Sequence, residues 1–205
     1  MEVILASKSP RRSQLLNQIN ISHIVLPPNI NEKLDENLSP EEFVRKIALI
    51  KARTISKRKK GIIIGADTIV YSDKIFGKPL NKEDARKILL KLSDRIHYVY
   101  TGLAIIKNIN QYQEISGFEK TAIKMRKISN EEIERYISTN EPYDAAGAYK
   151  IQGLASIFIE KIDGCYFNVM GFPIFKFYTL LNNLNIDIWK LMVKSDQNEN
   201  RNSPI

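Results

Sequence analysis

Cysteine is almost absent. Cys165 stands alone among 205 residues, so no disulfide can form within the chain, which suits a reducing cytoplasm. Histidine is nearly as scarce: His23 and His97 alone argue against a zinc centre built from His and Cys. No apolar run approaches the roughly 20 residues that span a bilayer, and no charged-then-apolar leader precedes the first strand. The expectation is a cytoplasmic protein without a membrane partner. Neither G-x-x-x-x-G-K-[ST] nor G-x-G-x-x-G occurs, which removes the P-loop NTPases and the Rossmann dehydrogenases. No G-x-S-x-G elbow supports an esterase.

Positive charge is what the chain has in excess. Lys and Arg number 31 against 23 Asp and Glu, for a net charge of +8 and a pI near 9.4. That balance points to anionic partners, whether nucleic acid, an acidic membrane face or phosphorylated small molecules. The densest run is Lys57-Arg58-Lys59-Lys60, directly before Gly61. Without an RNP-type aromatic motif or a zinc knuckle beside it, the run reads as the solvated end of a helix, where cations complement the dipole, ahead of a nucleic-acid patch.

At 205 residues the chain can bury one sizeable core without disulfides or metals. It shows no internal repeat or low-complexity linker, so residues 1–194 read as one domain and the polar residues 195–205 as a disordered tail. Strand and helix patterns alternate. The fold class is therefore α/β, a single domain with a twisted mixed sheet flanked by helices and a cleft between two lobes. Val3-Ile4-Leu5-Ala6 reads as a buried strand, Pro10 to about Asn20 as a helix with Leu15, Leu16 and Ile19 inward, and Ile21–Leu26 as a second strand. Ser39-Pro40-Glu41-Glu42 and Ser129-Asn130-Glu131-Glu132 are capping boxes, and Asn81 caps a helix to Leu92. Gly61–Val70 and His97–Ile106 are strands, followed by two more over Gln111–Phe118 and Thr121–Ile128. Leu154–Ile162 and Cys165–Met170 are predicted to pair across a type I′ turn at Asp163-Gly164, which puts Cys165 in a core strand. The last helix runs from Gly171-Phe172-Pro173 to about Asn182.

The chemistry gathers at interruptions of these patterns. After the first strand, Ser9 suits an N-cap and Pro10 the first helical position, so Arg11 and Arg12 fall in the first helical turn. Cations there oppose the helix dipole unless something negative lies between them. The segment is either a phosphate site or a surface helix start with solvated arginines. Lys51 continues the apolar stripe of Val44, Ile47 and Ala48; its ammonium either snorkels to the edge, the simpler outcome, or points into a polar cleft. Asp67-Thr68 breaks a strand that is otherwise apolar, and a buried carboxylate must be paired, hydrogen-bonded, metal-bound or protonated. In the loop Glu141–Gly153, two tyrosines and Gln152 suit a planar polar ring, unless the tyrosines simply cover the core. Ser7, Arg11, Arg12, Glu32, Lys51, Asp67, Thr68, Lys78 and Gln152 match one task. Four cations suit a triphosphate, Glu32 and Asp67 offer hard oxygen ligands for Mg²⁺ or Mn²⁺, and a carboxylate beside the metal can take a proton from attacking water.

Ala6-Ser7-Lys8-Ser9-Pro10-Arg11-Arg12, Gly65-Ala66-Asp67-Thr68, Gly77-Lys78-Pro79 and Gly147-Ala148-Tyr149-Lys150-Ile151-Gln152-Gly153 together resemble the Maf family of nucleotide pyrophosphatases, in the family's order and across the chain to about Asn182. The resemblance implies a mixed α/β fold with a nucleotide cleft, related to the inosine triphosphate pyrophosphatases. It implies hydrolysis of the α–β linkage of nucleoside triphosphates with a divalent metal, and commonly a homodimer. Carried over residue by residue, Asp67 would be the proton acceptor, while Ser7, Arg12, Lys51 and Lys78 would bind phosphate. Glu32 and Asp67 would hold the metal. Arg11, Thr68 and Gln152 match the branch acting on dTTP and UTP; the 7-methyl-GTP branch has an aromatic residue, glutamine and glutamate there. Two positions depart from the pattern: Ala145 stands where the family often has lysine, and Lys150 where this branch more often has a small residue. Two readings from other classes stand beside the enzyme. One is a nucleotide-binding regulator of cell division with incidental hydrolysis; the other is a nucleic-acid binder built on Lys57–Lys60.

Overall fold

The apolar runs and capping residues sort the chain into strands and helices that alternate along most of its length. The computed structural model describes residues 1–30 and 38–192. Its elements are β1 (Val3–Ala6), α1 (Pro10–Gln18), β2 (Ile24–Val25), α2 (Pro40–Ser56), β3 (Gly61–Tyr71), β4 (Ile75–Phe76), α3 (Lys82–Leu92), β5 (Ile96–Asn108), β6 (Tyr112–Met125), α4 (Asn130–Ile137), β7 (Ile159–Asp163), α5 (Tyr166–Met170) and α6 (Ile174–Asn183). Both capping boxes form: the Ser39 and Ser129 side chains accept from the N–H of Glu42 and Glu132, whose carboxylates reach back to the serine N–H at 3.0 and 2.9 Å. Asn81 accepts from the Asp84 N–H at 2.9 Å and starts α3. Helix α1 begins differently. Ser9 takes the N-cap position without a side-chain bond, and Ser7 Oγ accepts from the Ser9 N–H at 3.2 Å.

The sheet runs β2-β1-β3-β5-β6-β7, with β4 also paired to β3. β1 is parallel to both β2 and β3, and the remaining pairs are antiparallel. Strand alternation divides the faces. Ile62, Ile64 and Ala66 pack in a cluster with Leu15 and Leu16 of α1 and Phe177 and Leu181 of α6, whereas Ile63 packs with Ala48, Ala52 and Ile55 of α2. Farther along the first face, Val70, Val99 and Ile123 join α3 and α4 in a second large cluster. Helix α2 lies very close to its own face, because Gly65 and Gly102 present no side chain there. A Cβ on Gly65 would stand 2.1 Å from the Ala48 carbonyl oxygen, and one on Gly102 would stand 2.2 Å from that of Val44.

The structure corrects several sequence expectations. The second strand shrinks to Ile24–Val25, and Ile21 makes an isolated bridge to Met192. Gln111–Phe118 and Thr121–Ile128 merge into the single strand β6, because β5 offers a continuous partner from Ile96 to Asn108. The polar Glu119-Lys120 pair stays in register with Tyr100 and Thr101, and Lys120 lays its ammonium 4.2 Å from the Tyr98 ring centroid. Leu154–Phe158 is a 3-10 segment in which the Glu141 carboxylate accepts from the Leu154 and Ala155 N–H groups. The predicted hairpin at Asp163-Gly164 does not form. Gly164, at φ +130, packs against Thr121 and turns the chain into α5, so Cys165 is the half-buried N-cap of a helix and not part of a strand. Residues 195–205, expected as a tail, lie outside the described residues. No helix among the described residues is long and apolar enough to cross a membrane.

Candidate active site

An opening in the sheet sets the site. β1 ends at Ala6, opposite Gly65, and β4 begins to pair only at Val70, while β5 pairs the other edge of β3 from Gly61 to Tyr71. Residues 66–69 of β3 therefore face a notch at the carboxyl end of β1, where ligands of parallel α/β sheets commonly bind. Strand alternation sends Ala66 and Thr68 toward the α1 face, and Asp67 toward α2.

On the α1 face, Arg12 ties three segments together. Its buried guanidinium donates from Nε to the Gly171 carbonyl at 2.9 Å and from Nη1 to Ser7 Oγ at 2.8 Å and the Ala66 carbonyl at 2.9 Å. Nη2 donates to Thr68 Oγ1 at 3.0 Å. Gly171, left-handed at φ +102, ends α5 and leaves room beside Thr68 and Arg12 for this contact. The chain of polar groups continues inward. Thr68 Oγ1 lies 3.0 Å from Thr101 Oγ1, Thr101 donates to the Asn168 carbonyl at 2.9 Å, and Asn168 Nδ2 donates to the Val99 carbonyl and Thr121 Oγ1. This polar seam runs between the two apolar clusters of that face, and its bonds offset part of the cost of burying it, while Asn168 Oδ1 has no hydrogen-bond partner among the described residues.

On the α2 face, Lys51 Nζ lies 2.8 Å from Asp67 Oδ1, with both residues buried. Snorkelling, the simpler expectation for Lys51, is not what happens. The close approach of α2 over Gly65 and Gly102 directs the ammonium to Asp67 and, at 3.4 Å, to the Ala66 carbonyl. Each charge compensates the other in a place where either alone would be costly. Among the described residues, no group of three or more His, Cys, Asp or Glu is placed to hold a metal, and Glu32 lies outside them. Mg²⁺ commonly takes one or two protein carboxylates and completes its shell with phosphate and water oxygens, and Asp67 fits that donor chemistry.

At the rim, Asp144 joins two cations. Arg11 donates to the Asp144 carbonyl at 2.8 Å and to its carboxylate at 3.3 Å, and Lys78 Nζ donates to the other carboxylate oxygen at 2.5 Å. Burial by itself raises the Asp144 pKa, but the Lys78 hydrogen bond and the charges of Lys78, Arg11 and Lys150 outweigh it and hold the carboxyl below its ordinary range.

A family model described as Maf-like protein matches residues 2–184. The chain belongs to the Maf family. A protein named dTTP/UTP pyrophosphatase from Caldicellulosiruptor saccharolyticus is 43% identical over 195 residues, covering 92% of this chain and 98% of its own. One of the same name from Alkaliphilus oremlandii is 46% identical over 184 residues, covering 89% and 95%. Among solved structures, a nucleoside-triphosphatase / dITP/XTP pyrophosphatase from Mycobacterium abscessus is a distant likeness, 16% identical with a TM-score of 0.42, over 62% of this chain and 76% of that one.

In this Maf chain the residues singled out from sequence fall into groups. Ser7, Arg12 and Thr68 share one hydrogen-bonded cluster, Lys51 and Asp67 share another, and the Ala66 carbonyl accepts from both. Arg11 and Lys78 meet at the rim through Asp144. Gln152 is exposed on its loop. The two tyrosines of that loop cover the core, the second alternative weighed for them: Tyr143 donates to the Ile137 carbonyl at 2.6 Å, and Tyr149 is buried with its hydroxyl 2.8 Å from His97 Nε2. Sequence reasoning missed Asp144, Thr101 and Asn168. A carboxylate among small residues at 144–148 was the local signal for the first; the other two sit in ordinary strand and helix contexts, and only the fold brings them together.

Proposed function

We propose that this Maf protein is a nucleoside triphosphate pyrophosphatase that hydrolyses dTTP and UTP, and modified pyrimidine nucleotides, to the monophosphate and pyrophosphate. The buried Lys51–Asp67 pair at an open strand edge, with Arg11, Arg12 and Lys78 around it, carries the reading. The names borne by relatives 43% and 46% identical over about nine-tenths of the chain support it.

Water attacks the α-phosphorus, Asp67 accepts its proton, and the bridging P–O bond to the β-phosphate breaks, so that pyrophosphate leaves. Lys51 compensates the Asp67 charge before the transfer and lies beside the reacting phosphate. Arg12, whose bonds include those to the Gly171 and Ala66 carbonyls and to the Ser7 and Thr68 hydroxyls, keeps Ser7 and Thr68 in place and adds positive potential to the notch. Arg11 and Lys78 neutralise the outer phosphates. A hard divalent cation held by Asp67 and Glu32 would supply further charge neutralisation at the phosphate oxygens. Arg11, Thr68 and Gln152 are the positions that mark the pyrimidine branch, and Gln152 reads the base, since a glutamine amide offers both the donor and the acceptor that a uracil or thymine edge requires.

The test is pyrophosphate release from dTTP, UTP, CTP, GTP and 7-methyl-GTP, with Mg²⁺, Mn²⁺ or EDTA. Metal-dependent release confined to dTTP and UTP is expected. A preference for 7-methyl-GTP would keep the reaction and overturn the base selection; silence across the panel would overturn both.

A further inference from the structure

The anion that two arginines in a helical first turn require is already supplied by the protein. Arg11 opposes the α1 dipole, and the Asp144 carboxylate lies against it at 3.3 Å while also bonding Lys78 at 2.5 Å. Both cations reach the rim of the notch, where Lys150 adds further positive charge around Asp144. Their bonds to Asp144 differ in kind from the Lys51–Asp67 pair: the Asp144 side chain is 47% exposed, whereas that of Asp67 is 10% exposed.

We propose that Asp144 is an internal competitor of the triphosphate. Its carboxylate occupies Arg11 and Lys78 in the resting protein, yields them to a phosphate group when substrate binds, and returns to them when pyrophosphate leaves. The inference rests on the reading of the notch as a triphosphate site. Three features fit exchange better than permanent bracing. Carboxylate and phosphate oxygens are interchangeable partners for guanidinium and ammonium, and phosphate carries more charge and more acceptor oxygens. The Lys78–Asp144 pair, with side chains 61% and 47% exposed, is weak, and Asp144 is the half-exposed partner of a 16%-exposed Arg11, so a phosphate can take its place. The Asp144 backbone carbonyl keeps its own 2.8 Å bond to Arg11, so the guanidinium remains tethered after the carboxylate swings away. The consequence is weaker binding of the ground state and the product than these cations alone would give, which favours turnover over product retention.

Calorimetric titration of inorganic pyrophosphate with Mg²⁺ into the wild type, Asp144→Asn and Asp144→Ser tests this. Both substitutions remove the charge at a partly exposed position. Each variant should bind pyrophosphate on the order of three- to tenfold more tightly than the wild type, with a matching fall in its inhibition constant. Tighter binding by either folded variant supports the competitor role. Unchanged or weaker binding in both, as a brace would produce, overturns it. A wild type that neither binds pyrophosphate nor hydrolyses any nucleoside triphosphate overturns the triphosphate reading itself; binding by the wild type without a gain in the variants overturns the competitor role alone.

Discussion

The Lys51 ammonium stands 2.8 Å from the Asp67 carboxylate, and each explains the burial of the other. A lysine on the inward stripe of α2 and an aspartate in the middle of β3 are both exceptions to their local patterns, and they resolve as one ion pair. Breaking it from the lysine side removes the ammonium that lies against a buried carboxylate. Lys51→Met should cost about 3 kcal/mol or more in denaturant unfolding. The cost should shrink by roughly 2 kcal/mol when Asp67 is also made Asn. Additive effects in this double-mutant cycle would show that the pair is not coupled.

Asp67→Asn separates chemistry from stability. The amide oxygen can still accept from Lys51 but no longer offsets its charge, so the fold should be retained at a cost of about 3 kcal/mol. The amide cannot take a proton from water, and turnover should fall to background while nucleotide binding persists. Near-normal steady-state activity in this variant would remove Asp67 from the role of proton acceptor.

The geometry of that pair depends on a residue with no side chain. A methyl group at Gly65 would meet the Ala48 carbonyl oxygen of α2 at 2.1 Å, and a helix backbone cannot give way as a flexible side chain can. Gly65→Ala should lift α2 from the sheet, destabilise the protein by about 2–3 kcal/mol and reduce kcat by moving Lys51 away from Asp67. Unfolding curves and kcat measured together should fall together. A stable variant with full activity would show that the close approach of α2 is not what positions the lysine.

What could be read in advance was whatever local chemistry determines. Ser39, Asn81 and Ser129 marked helix starts because a cap and its partner lie three residues apart. The apolar run of β3 and the interruption at Asp67 were visible for the same reason. Leu154–Phe158 was misread because its composition suits a strand, whereas the Glu141 carboxylate that bonds its first N–H groups lies 13 and 14 residues away. Asp163-Gly164 has the residues of a tight hairpin, yet Gly164 serves close packing against Thr121, a contact set by β6. Asp144 was hidden by distance: Arg11 lies 133 residues before it, and no spacing rule links them.

Substrate selection should reside partly in Gln152, which is exposed and carries no part of the core. Gln152→Glu replaces a donor-and-acceptor amide with an acceptor alone, so the carboxylate meets the acceptor side of a thymine or uracil edge unpaired. kcat/KM for dTTP and UTP should fall by about tenfold to a hundredfold, with an unchanged melting temperature and a smaller effect on GTP. An equal loss on every nucleotide in the panel would argue against base readout at this position.

His97 gives the protein a pH dependence that is independent of the notch. Its imidazole is fully buried, with Nε2 2.8 Å from the Tyr149 hydroxyl, and burial pushes its pKa down to about 4 from an ordinary value near 6.5. Above pH 6.5 neither the folded nor the unfolded chain protonates this group, so it adds no pH dependence there. Below 6.5 the unfolded chain gains a proton that the folded chain refuses, so stability falls as the pH drops toward 4 and levels off beneath it. The full loss is about 3 kcal/mol. The surface carboxylates act in a lower window. Glu114, held to about 2 chiefly by its hydrogen bond from Arg53, and Glu132, held to about 2 chiefly by Arg126, lose their contribution as the pH falls from about 4.5 toward 2. Between pH 6.5 and 4.5 the buried imidazole should therefore account for much of the slope. Melting temperatures at pH 7.0, 5.5 and 4.5 should fall for the wild type and fall less for His97→Gln, whose amide can still meet the Tyr149 hydroxyl. Parallel falls in the two proteins would assign the acid sensitivity to other groups.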